Sequence, residues 1–193
     1  MAIRPRTSYP HGMAVRTIRP APVAPRWLSE EEQRAWIAVA HLVVQLPGVL
    51  DSQLQRDSDL KLFEYLALSR LSMAPDRTLR MSELAVLTGG SLSRLSNVIK
   101  RLEQRGFVRR EPDPDNGRYT NAILTEPGWD KVVAAAPGHV AAVRQLVIDP
   151  LDPGQLSALA EIGEELRARL SAGCDEVVDD ETDAGDADEV TPC

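Results

Sequence analysis

Thr88-Gly89-Gly90-Ser91 limits the folds open to this chain more than any other short stretch. Two adjacent glycines allow the positive φ that a sharp connection demands, and the serine after them is a helix-capping residue. The segment therefore joins two helices through a tight turn. Before it, Ser82 is placed to cap a brief helix over 83–87. After it, Ser91 opens a helix that runs to about Arg105 and stops at Gly106. On that second helix Leu92, Leu95, Ile99 and Leu102 form an apolar stripe. Ser93, Arg94, Ser96, Asn97, Lys100, Arg101 and Gln104 face away from it.

The next residues narrow the fold again. Residues 107–111 alternate like a strand, 112–117 form a turn and 119–124 return as a second strand. The Asn116-Gly117 pair is a strong hairpin signal. Helix, turn, helix and hairpin in this order describe a winged helix-turn-helix.

The flanks are helical. Ser29 and Glu32 make a capping box, and Trp36, Ala40, Val43, Pro47, Leu50 and Leu54 continue as one apolar stripe. Pro47-Gly48 is expected to kink or split that helix. A second helix covers about 59–71, and a short extended piece, 79–81, follows the turn Pro75-Asp76-Arg77. Thr125 caps a helix that Pro137-Gly138 bends before 139–147, and Asp152 with Gln155 opens a last helix to about Leu170. The fold class expected is mainly α with a small β-hairpin wing, a winged helix-turn-helix lobe flanked by N- and C-terminal dimerisation helices.

Charge divides the chain into three domains. Residues 1–26 hold five arginines and no acidic residue, and 172–193 hold nine acidic residues and no Lys or Arg. The net charge of −7 therefore splits as +5, −3 and −9 along arm, body and tail. The Arg/Pro-rich arm and the acidic tail read as disordered, since neither has enough apolar side chains to offset the entropy of folding. The 27–171 body is one domain, with its DNA-binding lobe at about 59–125. Within 77–118, nine basic residues face five acidic ones, a local excess of +4. Phosphate neutralisation needs such an excess. A helix presenting Ser, Arg and Asn near its start can reach major-groove base edges, Arg suiting guanine and Asn adenine. Ser91 and the helix N-terminus suit a phosphate oxygen, and a basic hairpin tip suits a narrow minor groove. Double-stranded DNA is the partner this reading favours. The alternative, a winged helix that only contacts other proteins, does not require the basic excess.

Other classes are poorly served. The apolar stretch 35–46 is broken by His41 and Gln45 and falls short of the ~20 residues of a membrane span, so no membrane partner is expected. The first residues lack the apolar core of a secretion signal, so the expected location is the cytoplasm. Eight aromatic residues are too few for a base-stacking surface. Cys174 and Cys193 lie in the acidic tail, and His11, His41 and His139 are scattered, so no metal, cofactor or catalytic residues are expected. Phosphate loops, zinc-protease motifs and nucleophile elbows are absent. The apolar faces of the first and last helices exceed what one small lobe can cover, and a homodimer would cover them.

The stretches Leu79-Arg80-Met81-Ser82-Glu83-Leu84-Ala85, Ser91-Leu92-Ser93-Arg94-Leu95-Ser96 and 101–110 carry a family likeness. So do Asp115-Asn116-Gly117-Arg118 and Ala136-Pro137-Gly138-His139-Val140. In this order they resemble the MarR family of bacterial transcriptional regulators over about residues 29–170. The resemblance implies a homodimer with intertwined terminal helices on a pseudo-palindromic operator, acting as a repressor. It carries Ser91, Ser93, Arg94 and Asn97 into the major groove and Arg118 into the minor groove, braced by Asp115. Ser96, Lys100, Arg101 and Arg110 complete the expected DNA-contacting set. The likeness also implies a small-molecule effector, often aromatic or phenolic, between dimer helices and lobe. Trp36, Phe63, Tyr65 and Trp129 are its pocket candidates, set against the alternative that they are core residues.

Overall fold

The computed structural model describes residues 25–179. The expected arm up to residue 24, including His11, and the tail from 180, including Cys193, lie outside the described residues. The chain divides into two compact units, 1–39 and 40–193, with the division inside the first helix.

In the first unit, helix α1 (Glu30–Ser58) begins with the expected capping box. Ser29 N–H donates to Glu32 Oε2 at 2.7 Å, and Glu32 N–H donates to Ser29 Oγ at 3.2 Å. Glu30, Glu31 and Glu32 in the first turn also complement the positive end of the helix dipole. Trp27, Leu28, Trp36, Ile37 and Val39 are all exposed.

In the second unit, α1 continues through Pro47 and does not split there. Proline removes one backbone donor. The buried Leu50 and Leu54 hold the next turns, and the helix persists. This continuity lengthens the apolar stretch. An 18-residue window of α1 reaches a mean hydropathy of 1.3, so the helix is long and apolar enough to cross a membrane by composition alone. The stretch 35–46 is itself too short for a span, and the window that passes extends beyond it along the same helix.

Asp59, at φ +48°, turns the chain out of α1, and Leu60 is fully buried at the junction. Helix α2 (Leu62–Met73) therefore starts three residues later than the spacing suggested. Lys61 N–H donates to Glu64 Oε2 at 3.0 Å, and Leu62 N–H donates to Asp51 Oδ1 at 2.7 Å. Strand β1 (Thr78–Arg80) runs directly into helix α3 (Met81–Thr88). The helix starts at Met81, with Arg80 as N-cap and no side-chain cap, so Ser82 lies inside the first turn and does not cap it. Gly89, at φ +64°, makes the expected turn into helix α4 (Leu92–Gln104).

Strands β2 (Val108–Pro112) and β3 (Thr120–Leu124) form the hairpin. β1 joins them, giving an antiparallel sheet of order β1-β3-β2. The register pairs Leu79 with Ala122 and Arg110 with Ala122 from opposite sides. Thr125 caps helix α5 (Glu126–Val143) by accepting from Gly128 N–H at 3.2 Å, while its hydroxyl donates to Gly106 O at 2.6 Å. A Cβ on Gly128 would lie 2.1 Å from Phe107 O, so no larger residue fits there. α5 passes Pro137 without a break and ends in a π turn, Arg144–Ile148. Helix α6 (Pro153–Asp179) follows behind the expected Asp152–Gln155 capping box. It continues eight residues into the segment assigned to the acidic tail.

The core gathers Leu54, Leu68, Leu71 and Leu84 with Leu95, Val98, Ile99 and Leu102 of α4 and Val108, Ala122 and Leu124 of the sheet. Leu92 departs from the expected stripe: it is 51% exposed, and Val98 takes the buried place. Leu92 is the first residue of its helix and projects beyond the core, whereas Val98 shares a face with Leu95 and Leu102.

Candidate nucleic-acid interface

α4 owes its position to its cap and to its buried face. Arg94 N–H donates to Ser91 Oγ at 3.1 Å, and the Ser91 and Ser93 hydroxyls lie 3.1 Å apart. The first turn holds no acidic residue, which leaves its positive dipole end available to an anion. Ser93, Arg94, Asn97, Lys100 and Arg101 are exposed, and Ser91 and Ser96 are half-buried. The Arg94 guanidinium sits 4.4 Å above the Phe63 ring. Gly90 makes room for that ring, since a Cβ there would lie 2.5 Å from it.

The basic excess is less free than its count suggests. Arg77 pairs with Glu126, Arg80 with Asp113 and Arg110 with Glu103, each at 2.7 Å. Arg109 pairs with Glu111. Arg101 and Arg105 both reach Glu64, at 3.4 and 3.6 Å, and Arg105 also reaches Asp59 at 3.1 Å. Among the described residues of 77–118, Arg94, Lys100 and Arg118 have no carboxylate within ion-pair distance. Two of these lie on the outer face of α4 and one lies in the hairpin loop.

That loop is built on Asp113 rather than on Asn116-Gly117 alone. Asp113 is 6% exposed, and its Oδ1 accepts the backbone N–H groups of Asp115 and Asn116 at 3.0 and 3.1 Å. Its Oδ2 accepts from Arg80 Nε at 2.7 Å. Asn116 Oδ1 then accepts from Arg118 N–H at 3.2 Å, which fixes the backbone that presents Arg118. The expected Asp115 brace on Arg118 is corrected: no Asp115–Arg118 ion pair forms among the described residues, and the brace is Asp113–Arg80. The hydrogen bond from Arg80 holds the Asp113 carboxyl below the usual carboxylate range and pushes Arg80 up. Arg110 likewise lowers Glu103.

Of the aromatic pocket candidates, the three in the second unit, Phe63, Tyr65 and Trp129, do not line one cavity. Phe63 lines a cavity of about 650 Å³ with Leu66, Lys61, Arg94, Asn97 and Arg101. Tyr65 is buried against His139, ring centroids 4.5 Å apart, and burial pushes the tyrosine up and the histidine down. Trp129 packs against the core beneath Arg77, 4.2 Å from its ring centre. Trp36, in the first unit, is 60% exposed. Helical spacing placed Tyr65 and Trp129 on core-facing surfaces, and only Phe63 looks into the cavity.

Sequence reasoning missed Arg80, Glu64, Glu103 and Asp113 as parts of the site. Asp113 had a signal, because an Asp between two prolines at the start of a turn is a frequent backbone-capping residue. The other partners are distant in sequence or lie on other elements. Among the described residues, no group of three or more His, Cys, Asp or Glu is arranged to hold a metal.

Residues 58–118 match the sequence profile of the MarR family. The chain is 44% identical to Sco3205, a MarR family transcriptional regulator from Streptomyces coelicolor solved in complex with DNA. That likeness covers 76% of this chain and 92% of Sco3205, with a TM-score of 0.73. AbsC, a MarR family transcriptional regulator from the same organism, is 39% identical over 75% of this chain and 99% of its own, with a TM-score of 0.68. The uncharacterized HTH-type transcriptional regulator YdcH of Bacillus subtilis (strain 168) is 32% identical over 75 residues, 39% of this chain. The chain spans about half the length of YdcH, 51%.

Proposed function

The chain belongs to the MarR family of transcriptional regulators, and from that premise we propose that it is a homodimeric repressor of a pseudo-palindromic operator. It is a DNA-binding regulator and not an enzyme. α4 enters the major groove, where Arg94 and Asn97 read base edges and Ser91, Ser93, Ser96, Lys100 and Arg101 meet the flanking backbone. Arg118 enters the minor groove from a loop held by Asp113. The observation that carries this reading is the distribution of unpaired charge. Within 77–118, where the other six arginines are ion-paired, Arg94, Lys100 and Arg118 are left without carboxylates, on the two elements that face the grooves.

The dimer is supported by apolar surface. In the second unit, Leu42, Val43, Val44 and Val49 of α1, Val133 and Val140 of α5, and Leu159, Ile162, Leu166 and Leu170 of α6 are all exposed. The first unit exposes its own set, Trp27 to Val39. A second copy would cover such faces, and the span-length hydropathy of α1 then reflects an interface. The domain division we favour is an arm to about residue 26, the winged domain with its dimerisation helices, and an acidic tail beyond. A small aromatic effector suits the cavity beside Phe63. Because Arg94 and Asn97 line that cavity as well as the DNA-facing surface, effector and operator compete for them. A protein that binds the chromosome in a bacterium works in the cytoplasm.

Selection of genomic fragments on the purified full chain tests this reading. A repressor yields fragments with a two-fold-related sequence upstream of genes, bound in a salt-sensitive way. Absence of salt-sensitive binding to any duplex would leave a protein-contact module instead.

A further inference from the structure

Arg80, Arg110 and Arg118 come from the end of β1, from β2 and from the hairpin loop, yet they line one cavity of about 230 Å³. Ser82 of α3 and Ser96 of α4 line it too. Arg80 commits Nε to Asp113, and Arg110 commits Nε and one terminal nitrogen to Glu103 at 3.0 and 2.7 Å. A guanidinium has five N–H donors, so both retain donors, and Arg118 has no carboxylate partner among the described residues. Three cationic residues thus line the cavity, while the two carboxylates that hold Arg80 and Arg110 do not, which leaves a positive seat furnished with hydroxyls.

The place of this cleft decides what fills it. It lies between the outer face of α4 and the base of the wing. In B-DNA, neighbouring major and minor grooves are separated by one sugar-phosphate strand. A duplex with α4 in one groove and the wing in the next must lay that strand across the cleft. We propose that the cleft seats one backbone phosphodiester of the bound DNA, with Arg80, Arg110, Ser82 and Ser96 as its donors. Asp113 and Glu103 are positioning residues that fix the guanidinium planes toward it, since forked donors bind phosphate best when their orientation is set in advance. The inference rests on the DNA-binding reading. It moves Arg110 and Ser96 from general contact to one defined phosphate, and it adds Arg80 and Ser82. It also joins the two roles of Asp113, because the same carboxylate orients Arg80 and builds the turn that presents Arg118.

The test uses the full chain and a duplex enriched by it from a random 20-base-pair library. Single uncharged methylphosphonate linkages are then walked along both strands. Losing a charge-assisted contact is worth about tenfold in affinity. The wild type should show such a loss at one linkage per half-site, on the strand between the two grooves. In a variant carrying Arg110→Lys and Ser82→Ala, the loss at that linkage should shrink to less than about threefold, while the ranking of duplex sequences is kept. Glu103→Gln should reduce the same linkage-specific loss, which a change in fold stability alone would not do. A flat linkage profile, or a loss unchanged in the double variant, overturns the seat and leaves DNA binding intact. Failure to enrich any duplex overturns both.

Discussion

α4 and α6 carry the same kind of apolar pattern and meet opposite fates. On α4, Leu95, Val98, Ile99 and Leu102 recur at helical spacing, and all four are buried. On α6, Leu159, Ile162, Leu166 and Leu170 recur in the same manner, and they are 43–73% exposed. Periodicity states that a helix face has a partner. It does not state where the partner comes from. For α4 the partner is the rest of the lobe, namely α2, α3 and the sheet. For α6 no described residue of the chain covers that face, and the proposed second copy would supply the partner.

Two substitutions on α6, Ile162→Glu with Leu166→Glu, should separate the two helices most severely. They place charges on the face assigned to the partner, and sedimentation should find a monomer that binds a two-half-site duplex at least about a hundredfold more weakly. Thermal unfolding of the lobe should survive. If the double variant sediments like the wild type, α6 is not the dimer face. The same kind of loss on α4 should act through folding instead: Ile99→Ala should cost about 2–5 kcal/mol in denaturant unfolding, because its side chain is fully buried.

Smaller effects distinguish the buried face of α4 from its outward face. Arg94→Ala should remove about 1–3 kcal/mol of base discrimination with little change in unfolding midpoint. Arg118→Ala should weaken all duplexes alike and lower the salt slope by about 1 per half-site. Fluorescence titrations over a salt series separate these two outcomes.

The smallest expected effect concerns acid. The Asp113 carboxyl is held below its usual range by Arg80 and by two backbone N–H groups. Its stabilisation is therefore complete above the ordinary carboxylate pKa and is lost as pH falls through the lowered value. Asp113→Asn should flatten the acid limb of a stability-against-pH curve without changing its slope near neutrality. An unchanged acid limb would remove Asp113 from the brace.

What was legible in the sequence was mostly local. The caps at Ser29, Ser91, Thr125 and Asp152 each join a side chain to a backbone group three residues away, and all four were readable from residue type and spacing. The turn at Gly89 was readable for a similar reason. The wing brace was not, because Arg80 and Asp113 are 33 residues apart and meet only when β1 pairs with β3. Glu64 under α4 was hidden in the same way, 37 residues from Arg101. Pro47 misled because a proline's local cost was weighed without the buried turns after it. The different settings of Phe63, Tyr65 and Trp129 were hidden for a related reason: ring type identifies apolar residues but does not say which cavity they face. The count of positive charge over 77–118 located the basic elements. Only the ion-pair map separated cations that hold the lobe together from those left for a partner.

The proposed function stands or falls on two copies of this chain placing α4 and the wing of each lobe on one duplex. Sedimentation of the full chain with a duplex enriched by it, at two salt concentrations, reads this out. Two chains per duplex are expected at low salt, with dissociation of the complex as salt rises. One chain per duplex, or a complex indifferent to salt, would overturn the dimeric DNA-binding reading.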